Sequence, residues 1–362
     1  MGSIFRVLFI FSAFLPSEFA KAATYERIAT GLDNPWGMAF LPDGRALITE
    51  KEGQIRILKD GKILPQKVEN IPAVYTTGQG GLLDVQVHPK NGFIYFTYAK
   101  PDSAGGGTVL ARAKLDSSNR LFDLQEIFKA VPTAKTGVHF GSRIAFDENG
   151  YVYVSTGERG TKPNAQDLSN HLGKIIRLHD DGKIPSDNPF VKTPLAKPEI
   201  WSYGHRNVQG LFYDRSKKTL YAHEHGPRGG DELNKIEKGK NYGWPVITYG
   251  IDYDGSKISD LTAKEGMEQP IHQWTPSIAP CGLTRVGTTG KTIYPAWRGN
   301  FLVGALSHRL ISRIEVDAAG KFVREEKLFE GIGRVRFVTE APDGSIYFGT
   351  ESPGAIYRIQ KP

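Results

Sequence analysis

Several polar clusters follow directly on apolar, strand-like runs, and their residue types could do chemistry. His139, in Val138-His139-Phe140-Gly141-Ser142-Arg143, and Glu158, in Gly157-Glu158-Arg159-Gly160, could form a base and its orienting carboxylate. Such a carboxylate fixes the imidazole tautomer and stabilises its protonated form. Two unrelated loop residues are the alternative. Tyr203-Gly204-His205-Arg206-Asn207-Val208-Gln209-Gly210 sets a planar cation beside an amide. That pairing suits carboxylate or carbonyl oxygens, although a structural turn would account for it equally. The run from His223 to Glu232, followed by Asn241-Tyr242-Gly243-Trp244-Pro245, is rich in oxygen donors. Backbone carbonyls presented by Gly226 and Pro227, together with a Glu, suit a hard cation such as Ca²⁺. His223 and His225 share a strand face and could bind zinc, but no third ligand is evident. Thr77-Gly78-Gln79-Gly80-Gly81 reads alone as a flexible turn, and Asp252-Tyr253-Asp254-Gly255 as a solvated turn rather than a calcium loop. Arg334 and Arg336 alternate on one strand and so face one side, as an exposed edge or as a carboxylate clamp. Cys281, the only cysteine, has no evident role.

The elements that must position these residues are strands. Helical periodicity is nearly absent, and 41 Gly and 22 Pro punctuate short β-rich runs. One pattern recurs: an apolar run, an Asp-Gly or Asn-Gly turn, then another apolar run. It appears around Asp43-Gly44, Asn91-Gly92, Asn149-Gly150 and Asp343-Gly344. Such turns are a strong hairpin signal, because both residues tolerate positive φ. Degenerate copies fit at Gly210–Tyr213 with Thr219–Tyr221, and at Ile293 with Gly299–Val303. Six copies of roughly 55 residues each suggest four strands per unit and an all-β, six-bladed propeller with four-stranded antiparallel blades. A pair of sandwiches would not explain one turn motif at near-blade spacing. The uneven spacing implies long loops in the middle blades.

Composition bounds the function. Hydrophobic residues make up 39% of the chain, enough for a core, and a single Cys excludes a disulfide framework, a multi-cysteine zinc site and a c-type haem motif. A net charge of +7 suits an anionic ligand, but no nucleic-acid motif accompanies it. Arg6, the apolar run Val7–Leu15 and Ala20-Lys21-Ala22 read as a secretory signal peptide over residues 1–22. The run is short for a membrane span, so an uncleaved anchor is the lesser alternative. The expected product is one propeller domain over 23–362, secreted and, in a Gram-negative host, periplasmic, with no stable membrane insertion.

Taken together, Asn34-Pro35-Trp36-Gly37, Gly78-Gln79-Gly80-Gly81-Leu82-Leu83-Asp84, Gly204-His205-Arg206-Asn207-x-Gln209-Gly210, His225-Gly226-Pro227-x-x-x-Asp231-Glu232 and Asn241-Tyr242-Gly243-Trp244-Pro245 resemble the soluble pyrroloquinoline-quinone (PQQ) glucose/sorbosone dehydrogenase family. The resemblance runs from about Tyr25 to the C-terminus and is closest to the periplasmic aldose sugar dehydrogenase branch. It implies a six-bladed propeller that oxidises aldoses at C1 to lactones with PQQ and Ca²⁺. In that reading His139 is the general base, Glu158 supports it, and Gln79 lies near sugar and base. The C1 hydride passes to C5 of PQQ, and Arg206 meets the negative charge developing at the C5 oxygen. Asn207 contacts PQQ, and Arg334 and Arg336 clamp its carboxylates. Carbonyls of Gly226 and Pro227 hold a catalytic Ca²⁺ acting as a Lewis acid. Glu232 and the Tyr242 backbone hold a structural Ca²⁺. A family Lys falls near Ser307, where His308 or Arg309 could substitute, and an acid that precedes the base in some members is Val138 here.

The resemblance further implies an aldose substrate, a separate cytochrome or quinone as electron acceptor, and a monomer or homodimer. The competing reading is a family propeller that has lost catalysis and binds a protein or glycan partner. A calcium-dependent lactonase is less compatible, because it would need several side chains converging on one axial ion.

Overall fold

Each of the four recurring motifs, at Asp43-Gly44, Asn91-Gly92, Asn149-Gly150 and Asp343-Gly344, joins the two innermost strands of a blade. In the computed structural model, which describes residues 23–361, six four-stranded antiparallel sheets form a ring. The innermost strands are Pro35–Phe40, Leu82–Val87, Ile144–Phe146, Val208–Asp214, Pro280–Arg285 and Val335–Glu340, in blades one to six. Their hairpin partners are Ala46–Glu50, Ile94–Asp102, Val152–Thr156, Thr219–Glu224, Phe301–Ala305 and Ile346–Thr350. The expected signal segment, residues 1–22, lies outside the described residues. Among the described residues no helix is long and apolar enough to cross a membrane.

The turns differ from the expected two-residue type. Only the glycines take positive φ: +87° at Gly44, +71° at Gly92, +92° at Gly150 and +86° at Gly344. In blade one, Gly44 N–H donates to Leu41 O (3.1 Å), which makes a longer loop with a single left-handed residue. The polar residue acts instead through its side chain: Asp43, Asn91 and Asp343 each accept the N–H two residues on, at 3.1, 3.0 and 2.9 Å. Blade five departs further. Its inner strand is Pro280–Arg285, not the segment at Ile293, which belongs to an insertion before Phe301.

The N-terminal strand Tyr25–Thr30 pairs antiparallel with Ala355–Ile359 and completes blade six, so both ends of the chain close the ring. That leaves no open sheet between first and last blades. Among the described residues the core is six apolar layers, each between two neighbouring blades, and a smaller seventh cluster of Trp36, Leu83, Ala99 and Phe140 beside the channel. Leu47, Ile57, Phe96 and Val109 form the layer between blades one and two, and Val338, Phe348, Leu302 and Ile311 the one between blades six and five. Period-two alternation supplies both faces of each sheet, which is why nearly every central-strand side chain is buried.

The inner strands run in one direction through the channel. Residues at their starts (Trp36, Leu83, Gln209, Ala279, Arg336) line a cavity of about 430 Å³ at one mouth. Residues at their ends (Phe40, Val87, Tyr213, Thr284, Glu340) line one of about 600 Å³ at the other. Between them the channel is plugged. Buried Arg143 reaches Asp84 Oδ1 (3.3 Å), Gln209 O (2.8 Å), Arg336 O (2.8 Å) and Cys281 Sγ (3.3 Å), and stacks over Trp36 at 4.0 Å.

Candidate active site

The smaller cavity gathers four of the expected site residues, although the opposite mouth is roomier; His139, Glu158, Arg206, Gly226 and Pro227 adjoin its Gly141, Asn207 and His225 in sequence or by hydrogen bond but do not line it. The cavity is lined by Gln79, Asn207, Arg334 and Arg336 from the sequence reading, and by Trp36, Lys51, Gln209, His225 and Glu351 beside them.

His139 lies on the loop entering blade three, with Glu158 just past the second strand of the same blade. Their separation is 2.6 Å, Nδ1 to Oε1, so Nδ1–H donates to a carboxylate that is itself buried. Nε2 has no protein partner among the described residues, and the His139 side chain keeps 11% exposure. The ring is thus held at one nitrogen and open at the other. His139 has φ +54°, an uncommon conformation for a side-chain-bearing residue. Gln79 Oε1 accepts the His139 N–H at 2.8 Å and helps hold it there. A Cβ at Gly157 would sit 2.0 Å from His139 O, so only glycine allows the two loops to approach. Burial lowers the His139 pKa below 6.5, and the Arg206 charge lowers it further, while the hydrogen bond to Glu158 opposes both. The imidazole is therefore neutral at neutral pH. Glu158 Oε2 is buried without a partner among the described residues.

Arg206 is buried beside this pair. Its N–H donates to Glu224 Oε2 (2.6 Å), and its Nη1 donates to Gly226 O (2.9 Å) and His225 O (3.2 Å). His205 and Glu224 repeat the His139–Glu158 pairing one blade on, at 2.8 Å. The His205 ring is closed, however, because its Nε2 meets Ser202 Oγ at 2.9 Å. Asn207 Oδ1 accepts Gly141 N–H at 3.1 Å, tying the His139 loop to blade four.

Arg334 and Arg336 do share a side, and Glu351 bridges them. Arg334 Nε donates to Glu351 Oε2 (2.8 Å) and Arg336 Nε to Oε1 (2.5 Å). Burial opposes ionisation of Glu351, but the two guanidiniums prevail and hold its pKa below the usual range. Arg336 Nη1 also meets Cys281 Sγ (3.2 Å) and Gln209 Oε1 (3.3 Å), so the thiol is a buried contact of two guanidiniums. Ser307 and His308 sit on an exposed turn outside the cavity lining. The Ser307 hydroxyl donates to Ser277 O at 3.0 Å, and it is Leu306 that lines the cavity.

The metal-binding candidates lie in blade four, Gly226 and Pro227 on the turn between its second and third strands and Glu232 within the third. The Gly226–Gly230 turn is so tight that a Gly226 Cβ would meet Gly229 O at 2.1 Å. Asp231 Oδ1 accepts Gly226 N–H at 2.8 Å and fixes the turn. Pro227 O accepts no hydrogen bond among the described residues and is an oxygen donor of the kind a hard cation takes, whereas Gly226 O already accepts Arg206 Nη1. Glu232 is a stronger indication. Burial, reinforced by Glu224, pushes its pKa up to about 8, and its one hydrogen bond is from Asn234 at 3.1 Å. Among the described residues Asn234 Oδ1 is buried and unpartnered, and Tyr242 O accepts no hydrogen bond. Glu232 and Asn234, 3.1 Å apart, present buried oxygens that a cation would neutralise. Zinc is not favoured: His223 and His225 each turn Nε2 to a blade-five carbonyl, at 2.9 and 2.8 Å. Among the described residues no three His, Cys, Asp or Glu side chains cluster as a metal site. Asp252 pairs with Lys162, and Asp254 accepts Ser256 N–H, as in a surface turn.

The cavity also fits a planar polycarboxylate such as PQQ, since Arg334, Arg336 and Lys51 supply cations and Gln79 and Asn207 supply amides around its wall.

Glu351, Glu224, Lys51 and the Arg143 plug escaped sequence reasoning. One signal was available. Glu50, Glu158, Glu224 and Glu351 all lie at or just past the end of a second blade strand, and all four face the same mouth from buried or half-buried sites.

Residues 32–358 match the glucose/sorbosone dehydrogenase family. The aldose sugar dehydrogenase YliI of Escherichia coli is 39% identical over 338 residues, covering 91% of this chain and 90% of its own. The apo-form structure of the E. coli soluble aldose sugar dehydrogenase superposes with a TM-score of 0.88 at 36% identity, covering 94% of this chain and all of that one. The PQQ-bound aldose sugar dehydrogenase of Streptomyces coelicolor gives 0.78 at 28% identity, over 94% of this chain and 98% of that one. With the propeller and the polar cavity at its mouth already established, these matches place the chain in the glucose/sorbosone dehydrogenase family.

Proposed function

We propose that the protein is a PQQ- and Ca²⁺-dependent aldose dehydrogenase that oxidises C1 of the sugar to the lactone, with His139 as general base. The carrying observation is the His139–Glu158 pair, closed at Nδ1 by a 2.6 Å bond and open at Nε2. A neutral imidazole so held takes a proton only at Nε2, where it can accept the C1 hydroxyl proton. Glu158 stabilises the imidazolium that results. PQQ, when bound, supplies the hydride acceptor, and Ca²⁺ held by Gly226 and Pro227 would supply Lewis acidity. Arg206 places a fixed cation beside the base, where it disfavours early protonation of the imidazole and favours developing negative charge. Arg334 and Arg336 bind carboxylates, and Asn207 and Gln79 keep the base loop in register. Glu232 and the Tyr242 carbonyl hold a structural cation.

Purified protein reconstituted with PQQ and Ca²⁺ and offered a panel of aldoses with a redox dye tests this. The expected result is turnover that needs both additions and is lost in His139→Ala. Protein that binds PQQ with no turnover on any aldose, or that binds none, would overturn it; the latter would favour a binding-only propeller. The family chemistry also favours export through residues 1–22 and a separate electron carrier.

A further inference from the structure

We propose that Lys51 is an anion-binding residue of the cavity, completing a cationic wall with Arg334 and Arg336. This rests on the PQQ reading above and names a residue that reading does not use. Lys51 directly follows the second strand of blade one and lines the same cavity as the two arginines of blade six, the next blade round the ring. The cations therefore gather in the sector of blades six and one, while His139 and Arg206 belong to blades three and four on the far side of the ring.

The residue is fixed in place. Its N–H donates to Asn34 O (3.1 Å), and its carbonyl accepts Leu82 N–H (2.9 Å), which ties the entries of blades one and two. A Cβ at Gly81 would lie 2.1 Å from Lys51 O and 2.8 Å from Lys51 Cγ, so that glycine permits the approach. The ammonium donates to Thr76 O (3.2 Å) and meets the exposed carboxylate of Glu52 at 3.1 Å. An ammonium has three donors, so one remains. The side chain is 21% exposed, enough to be reached and too little to be fully solvated.

The local charge balance gives this cation work to do. Glu351 cancels one of the two guanidinium charges and occupies Nε of both arginines. Arg336 Nη1 is further engaged by Gln209 and Cys281. A ligand with several carboxylates thus finds Arg336 largely engaged and chiefly Nη2 of Arg334 open, and Ser307 offers no cation. Lys51, whose own carboxylate partner Glu52 is exposed and only weakly held, adds a cation from the neighbouring blade.

The test is PQQ binding to the apo-protein with Ca²⁺ present, followed by quenching of tryptophan fluorescence, since Trp36 lines the cavity. Lys51→Met and Lys51→Arg are compared at several salt concentrations. A charged hydrogen bond at a partly exposed site predicts that Lys51→Met raises Kd about tenfold and flattens its salt dependence. Lys51→Arg should bind nearly as the wild type does, and thermal midpoints should stay close throughout. Unchanged Kd and salt dependence in Lys51→Met, with the wild type binding, would overturn the assignment to Lys51 alone. A Kd loss in both variants alike, with lowered midpoints, would show a structural role instead. Failure of the wild type to bind PQQ would remove the functional reading and this inference with it.

Discussion

Replacing Glu158 with Gln isolates what the carboxylate does for the base. The Nδ1–Oε1 bond is 2.6 Å, Glu158 is 1% exposed, and Oε2 is unpartnered. Glutamine keeps the shape but loses the charge, and its amide can present N–H to Nδ1 and so favour the wrong tautomer. A charged hydrogen bond in such a site is worth about 1.5–3 kcal/mol. At 1.36 kcal/mol per factor of ten, kcat should fall about a hundredfold. The pH profile gives a second reading. His139 works as the neutral base, so activity rises with pH through its pKa, which burial and Arg206 already hold below 6.5 against the opposing pull of Glu158. Removing that pull lowers the pKa further. The acid limb should therefore move to lower pH while the plateau drops. Steady-state dye reduction across the pH range, with PQQ saturation checked for each protein, measures both. A plateau within about twofold of wild type, or an acid limb displaced upward, would refute the reasoning.

Three other outcomes follow from the same geometry. Gly157→Ala drives a Cβ to 2.0 Å from His139 O, so kcat should fall about a hundredfold through displacement of the base while circular dichroism barely changes; near-normal kcat would show that the loop yields. Glu351→Ala leaves two guanidiniums facing each other, and denaturant unfolding should show a loss of about 3 kcal/mol; a loss below about 1 kcal/mol would mark the cluster as an ordinary surface pair. Glu232→Gln removes a buried carboxylate that stands beside Glu224, so the metal-free protein should gain stability and calcium should stabilise it less than wild type. For a site at a hundred times its Kd that contribution is about 2.7 kcal/mol, and an equal calcium response in both proteins would place the ion elsewhere.

Much of the frame was legible because hairpin chemistry is local. Asp43-Gly44 and its three counterparts mark the inner hairpins of blades one, two, three and six without any tertiary information. The turn geometry was misjudged because an Asp side chain can cap the loop itself, which relieves it of positive φ. Blade five was misread because an insertion separates Arg285 from Phe301, so the nearest apolar run was not the pairing strand. The His139–Glu158 pairing was suggested by two loops flanking one strand hairpin. Glu351 and Lys51 were not, because their significance depends on which blades close the ring beside each other. No local pattern places Lys51 next to Arg334; the pairing of Tyr25–Thr30 with Ala355–Ile359 does.

The central claim is oxidation at C1 with His139 as the base, and C1-deuterated aldose tests it most directly. Protein loaded with PQQ and Ca²⁺ should turn over the labelled sugar more slowly than the unlabelled one and release a lactone without the label. His139→Asn should bind PQQ as the wild type does and turn over neither sugar. A product that retains the C1 label, or a His139→Asn protein that oxidises sugar at the wild-type rate, would contradict the account.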